Sequence, residues 1–257
     1  MSFKDGDFIK VEYSAWRAAD NSLVFTTDQK KAEESGIYNK DVRYGPQLIV
    51  LGKRSVIKGL EEVLKGMSIN ESKKVEIEPK DAFGERNPDL VRVIPIADFR
   101  RRDINPYPGM QLDIDGATAV VKSITSGRVL VDMNHPLAGE KLVYEIKVDS
   151  VIEDAKEKVS VIAESYSLKP DSVSVSNAVA TATFGPSIKK DADYFVNKTS
   201  FVSAVLLYME SISKVEVREE FEREDGKSEG PAVIENKGKE AKAQESAKKG
   251  EKKEEEK

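Results

Sequence analysis

The sequence has no cysteine and only one histidine, His135. Without thiols there is no disulfide framework, no thiolate nucleophile and no cysteine metal site, and a lone imidazole cannot build a histidine cluster. A chemistry that needs neither metal nor cofactor is therefore expected. Long apolar runs are missing too: no stretch approaches the roughly 18 consecutive apolar residues of a membrane span. Residues 1–10 carry charges where a secretory leader would be apolar, so the chain reads as a soluble, cytoplasmic protein with no membrane partner. Charge of one sign is also absent. The 41 basic and 46 acidic side chains are interspersed and leave a net charge of −5, so no basic stripe neutralises phosphates and nucleic acid is excluded as a partner.

What is present at 257 residues suffices for about two compact units and a tail. Residues 7–17 alternate in strand fashion, and 48–51 form a short apolar run closed by Gly52. The stretch 56–65 places Ile57, Leu60, Val63 and Leu64 at helical spacing, with Gly66 where a helix-ending glycine belongs. Residues 73–78 alternate again up to Pro79, and DAFGERNPDL reads as a loop. Short strands follow at 91–94, 111–114, 117–124 and 128–133, with Asp115-Gly116 and Ser126-Gly127 as hairpin signals. A block of this kind, lying between a loop and a returning strand at 141–148, reads as a small domain inserted into a larger one. Beyond 151 the pattern changes. Val159, Ile162 and Tyr166 share a helical face, 173–183 alternates, 201–212 is a strongly apolar helix and 215–217 a strand. From residue 222 Lys and Glu dominate, and a disordered, solubilising tail is expected.

Three segments, VIKGLEEVLKGM, EPKDAFGERNPDLV and DMNHPLAGEKLVYEIKV, resemble in order and separation three blocks of the SlyD-like branch of FKBP-type peptidyl-prolyl cis-trans isomerases. The carboxy-terminal unit resembles, by length and order, the extension of long archaeal members. The resemblance implies an α+β fold: a bent antiparallel FKBP sheet around one helix (1–87 and 132–152), interrupted by a small β-rich flap domain (88–131) that binds unfolded chains. A C-terminal α/β domain (153–221) and the charged tail (222–257) complete the expected organisation. The implied activity is isomerisation of X-Pro bonds in unfolded or partly folded polypeptides. The implied site is an apolar basin walled by Tyr13, Val24, Ile49, Val56, Ile57, Leu60, Phe83 and Tyr144, with Leu60 as floor and the Ile57 backbone N–H as donor to a substrate carbonyl.

Such a basin suits a chain short of nucleophiles. Rotation before proline breaks no bond but crosses a barrier of about 18–20 kcal/mol. Taking the amide out of water disfavours its polar, planar ground state. Phe83 stands where relatives often have tyrosine, and Phe25 where most have aspartate. The missing hydroxyl predicts macrolide binding weakened by one hydrogen bond, about 0.5–1.5 kcal/mol. His135 reads as a loop residue, since the reaction transfers no proton. In the insert, Val91, Val93, Ile94, Ile96, Phe99, Met110, Leu112 and Ile114 exceed what a tiny core needs; they either pack on the barrel or form a groove that takes extended chains. The helix 201–212 is apolar almost all round, which suggests burial from both sides and a homodimer through the C-terminal domain. A holdase with little isomerase activity is the competing reading, and the uniformly apolar wall positions favour the enzyme.

Overall fold

A computed structural model describes residues 2–114, 116–186 and 193–221, and the chain divides into the units Met1–Glu220 and Phe221–Lys257. The expected tail and Asp115 of the expected turn lie outside the described residues. The first unit is a mixed fold of largely antiparallel sheets and few helices.

The first sheet is built on β1 (Phe8–Arg17). One side of β1 pairs with β3 (Gln47–Val50) along 8–11 and with β2 (Leu23–Thr26) along 14–16. The other side pairs with β9 (Leu142–Ile152), which carries β4 (Ser72–Ile77) beyond it. Register shifts at Lys10/Val11 and Ala15/Trp16 bend the strand. The sheet thereby curves over α2 (Lys58–Lys65), which buries Gly59, Leu60 and Leu64. Gly59 makes that approach feasible, because a Cβ there would lie 2.5 Å from Ile77 Cγ2 and 3.1 Å from the Asp81 carbonyl oxygen.

Several expectations need correction here. The helix begins at Lys58 rather than at 56, with Ile57 extended ahead of it at φ −60° and ψ 149°. Gly66 ends it, as its position suggested, at φ −88°. A second helix, α1 (Gln29–Glu34), joins this sheet's surroundings, capped by the Asp28 carboxylate accepting from the N–H groups of Lys30 and Lys31. Its only buried residue is Ala32, so it offered no apolar period to detect.

The second sheet has the order β5-β8-β7-β6, from β5 (Val91–Pro95), β6 (Gln111–Ile114), β7 (Ala117–Thr125) and β8 (Arg128–Asp132). Ser126 and Gly127 both take positive φ, 50° and 75°, as a two-residue hairpin turn requires. Pro95 is accommodated because β5 is an edge strand. A short helix, α3 (Ile96–Arg100), follows β5 and drives Phe99 into a separate core with Ala119, Val121, Val129 and Val131. The two chain crossings into this sheet are tied together: Asn87 N–H donates to Asn134 Oδ1 at 2.8 Å, and Asn134 Nδ2 donates back to Asn87 O at 2.9 Å.

The third sheet combines β10 (Ser172–Ser176), β11 (Val179–Phe184) and β12 (Lys214–Glu219), the first pair antiparallel and the second parallel. The alternation over 173–183 thus conceals a hairpin, turned at Asn177 and Ala178 with φ of 51° and 60°. α4 (Ala155–Ser165) and α5 (Tyr194–Tyr208) accompany it. α5 starts earlier and ends sooner than the expected 201–212, since Met209 and Ile212 are apolar through burial in the loop after the helix. It is also not covered all round: Phe195, Val196 and Leu207 are 69%, 69% and 59% exposed.

This third core is not self-contained. Phe8, Val50 and Ile152 of the first sheet belong to it, beside Ile162, Phe184 and Phe201. The alternate residues Ile9, Ile49 and Val148 face the α2 side. One end of the first sheet is therefore buried on both faces. Arg43 reinforces the junction by donating to the Glu164 carbonyl oxygen at 2.6 Å, and Lys53 pairs with Glu210 at 2.8 Å.

Candidate active site

The basin residues come from separate segments. Tyr13 lies on β1, Val24 on β2, Ile49 on β3, Tyr144 on β9 and Leu60 in the first turn of α2; Val56 and Ile57 lead into that helix. Phe83 sits in the loop after a single 3-10 turn at Pro79–Asp81. All eight fall in one apolar cluster. Leu60 and Ile49 are each 1% exposed and form its depth, with Tyr144 nearly as covered, while Tyr13, Val24, Val56, Ile57 and Phe83 are half-buried around them. Because Ile57 precedes the helix, its N–H stands outside the helical hydrogen-bond ladder.

The rings make further contacts. Tyr13 and Tyr144 lie 6.1 Å apart between centroids, and Phe25 stacks on Tyr13 at 5.0 Å. Phe25 is thus part of the same aromatic surface, in place of the carboxylate that the resemblance led one to expect. Burial raises the pKa of Tyr13, and burial together with the neighbouring Tyr13 raises that of Tyr144 well above the ordinary phenol value. Both hydroxyls stay protonated and uncharged at neutral pH.

His135 was read as a loop residue, and the structure adds a stacking partner. Its ring lies face to face with Phe83, 4.2 Å between centroids and 2° from parallel. Its Nδ1 accepts the Leu137 N–H at 3.1 Å, which places any proton of the neutral ring on Nε2. Leu137 packs against the cluster and is a member that sequence reasoning missed. Gly139 N–H donates to Gly84 O at 2.9 Å, so the loop carrying His135 is laced to the loop carrying Phe83.

A groove of about 690 Å³ lies elsewhere, along Glu12, Ser14, Lys74, Glu145 and Lys147, and touches only Tyr13 among the eight. Its charged walls do not suit a proline ring.

The insert holds a different concavity, about 400 Å³, between its edge strands β5 and β6 and beside α3. Val93, Ile94, Phe99, Leu112 and Ile114 line it. Val93 is 58% exposed, and Phe99 closes the bottom at 6%. Ile96 and Met110 lie outside that lining and, like Ile94, Leu112 and Ile114, pack against the insert's own core; Val91 is half-buried on β5, also outside the lining.

Comparison with known proteins bears on both regions. Residues 92–137 match the family model described as FKBP26, IF domain. A short-type peptidyl-prolyl cis-trans isomerase of Methanocaldococcus jannaschii is 34% identical over 148 residues, 58% of this chain and 93% of the relative. An FKBP-type 16 kDa peptidyl-prolyl cis-trans isomerase of Escherichia coli is 32% identical over 107 residues, 40% of this chain and 72% of that protein. The SlyD isomerase of Pasteurella multocida is 26% identical over 148 residues, 56% and 74% of the two chains. With nearly the whole of the archaeal relative matched, the chain belongs to the FKBP-type peptidyl-prolyl cis-trans isomerases.

Proposed function

We propose that the cluster of Tyr13, Val24, Ile49, Val56, Ile57, Leu60, Phe83 and Tyr144 is the isomerisation basin, and that the groove of the insert, residues 88–131, holds unfolded chains nearby. The observation that carries the first half is convergence: side chains from four strands, one loop and a helix with its lead-in meet in one apolar cluster. A proline ring seated on Leu60 leaves its preceding amide among aromatic walls, where the planar, polar form loses its hydration. The Ile57 N–H donates to a substrate carbonyl, and the protonated Tyr144 and Tyr13 hydroxyls add no charge that would favour the planar amide.

The second half is supported by two edge strands, β5 and β6, flanking a groove that mixes apolar and charged residues, an arrangement to which an extended chain can add a strand. Tethering the substrate raises its concentration at the basin. Phe83, lacking a hydroxyl, leaves macrolide ligands weakly bound. The exposed outer face of α5, with Phe195, Val196, Thr199, Ser203 and Leu207, is the face we assign to a homodimer; a monomer in sedimentation at micromolar concentration contradicts it.

The test compares the full chain with a variant lacking residues 88–131 on a short X-Pro peptide and on a protein whose refolding waits for proline. Peptide turnover should persist in both, and catalysis of refolding should collapse in the deletion. Loss of peptide turnover in a folded deletion variant would refute the separation of the two sites.

A further inference from the structure

The groove between β5 and β6 is bordered by guanidinium groups. Arg92 on β5 and Arg101 and Arg102 just after α3 line it, together with the apolar Val93, Phe99 and Leu112. The lining carries three arginines against two acids: Asp98, paired with Arg101 at 3.0 Å, and Asp113, whose carboxylate accepts the Gly116 N–H at 3.0 Å. The kind of cation is also uneven along the chain. Residues 88–131 hold Arg92, Arg100, Arg101, Arg102 and Arg128 against the single lysine Lys122, whereas lysine predominates in the remainder.

Solubility alone would be served by either residue. The arginine fork is planar, weakly hydrated and able to take a carboxylate bidentately, and arginine is enriched at interfaces from which lysine is depleted. Resting on the groove reading above, we propose that the preferred occupant is an extended, unfolded segment whose apolar side chains are interspersed with Asp or Glu. Alternation along a strand delivers what the groove asks for. Apolar residues settle over Val93, Phe99 and Leu112 while the intervening carboxylates reach the guanidinium rim. Segments bearing Lys or Arg at those positions meet like charge and are turned away.

Fluorescence anisotropy on the full-length chain tests this with two short, proline-free peptides that share their apolar residues and differ only in flanking Glu or Lys. The Glu peptide should bind about tenfold tighter at low salt, with the advantage shrinking as ionic strength rises. R101Q combined with R102Q should remove most of the difference, and R101K with R102K should keep only part of it. Equal affinity for both peptides, or a Glu preference untouched by R101Q/R102Q, would overturn the proposal and leave the groove reading standing. Failure of both peptides to bind would refute the groove itself.

Discussion

Removing residues 153–221 should weaken the first sheet, although the proposed isomerase basin lies on its other face. Phe8, Val50 and Ile152 are 1%, 1% and 2% exposed, and they are covered by the third core. Full burial of three such side chains corresponds to about 6 kcal/mol. Neighbours within the sheet keep part of each covered, so the expected loss is about 3 kcal/mol. Against a typical stability of about 5–15 kcal/mol that is severe. Trp16, the single tryptophan, lies on β1 and reports unfolding of this sheet by fluorescence in a urea titration. The decisive comparison is Phe8→Thr with Val50→Thr in both contexts. In the full chain the pair should cost about 3 kcal/mol or more. In the truncated chain, where those side chains face water, it should be neutral or stabilising. Equal cost in both contexts, with an unchanged midpoint after truncation, would refute the shared core.

His135→Ala should lower peptide kcat/KM by up to about tenfold, the worth of one aromatic pair. His135→Phe, which keeps the stack, should recover most of it while His135→Asn, which keeps only an acceptor for Leu137 N–H, should not; the reverse order would assign the residue to the turn. Gly59→Ala drives a methyl into Ile77 and should both destabilise the fold by about 1–3 kcal/mol and reduce turnover, read by thermal denaturation and peptide assay. For Asp132, covered beside Asn134, burial pushes the carboxyl up, but hydrogen bonds from Asn134 and the charges of Arg86 and Lys122 outweigh it and leave the pKa lowered. A lowered folded-state pKa contributes stability above the ordinary carboxylate value that is lost as pH falls through the folded one. The protection factors of the Asn87 and Asn134 amides, measured against intrinsic exchange at each pH, should therefore fall on acidification below about pH 4, and Asp132→Asn should show that reduced protection already at neutral pH.

Strands were the most legible part of the fold. β1, β4 and the strands of the insert announced themselves through alternation and the Ser126-Gly127 turn, and β3 as a short apolar run closed by Gly52. What escaped notice lacked such contrast. α1 buries only Ala32, and α3 is a single short turn whose one deep anchor is Phe99. The hairpin within 173–183 was hidden because its turn uses Asn177 and Ala178 rather than glycine. The second covered face at Phe8 and Val50 was visible only as adjacent apolar pairs, Phe8-Ile9 and Ile49-Val50, which single-faced alternation does not explain.

The site divides in the same way. Its apolar members could be named through motif resemblance, since a family pattern records which positions converge, and the cluster that brings the eight together is a tertiary fact. Phe25 was noted only as a replaced aspartate, and Leu137 was missed because a loop leucine carries no local sign of a shared surface. His135 was underestimated because stacking on Phe83 spans two loops separated by the whole insert.

The central claim is that substrate proline sits over Leu60 between Phe83 and Tyr144. The most direct measurement is a nuclear magnetic resonance titration of the labelled full chain with a short X-Pro peptide, reading chemical shifts together with the cis-trans exchange rate of the peptide. The account predicts that the Ile57 amide and the side-chain signals of Leu60, Phe83 and Tyr144 shift as exchange accelerates, while signals along Glu12, Lys74 and Lys147 stay still. Accelerated exchange with shifts confined to that charged groove would contradict it.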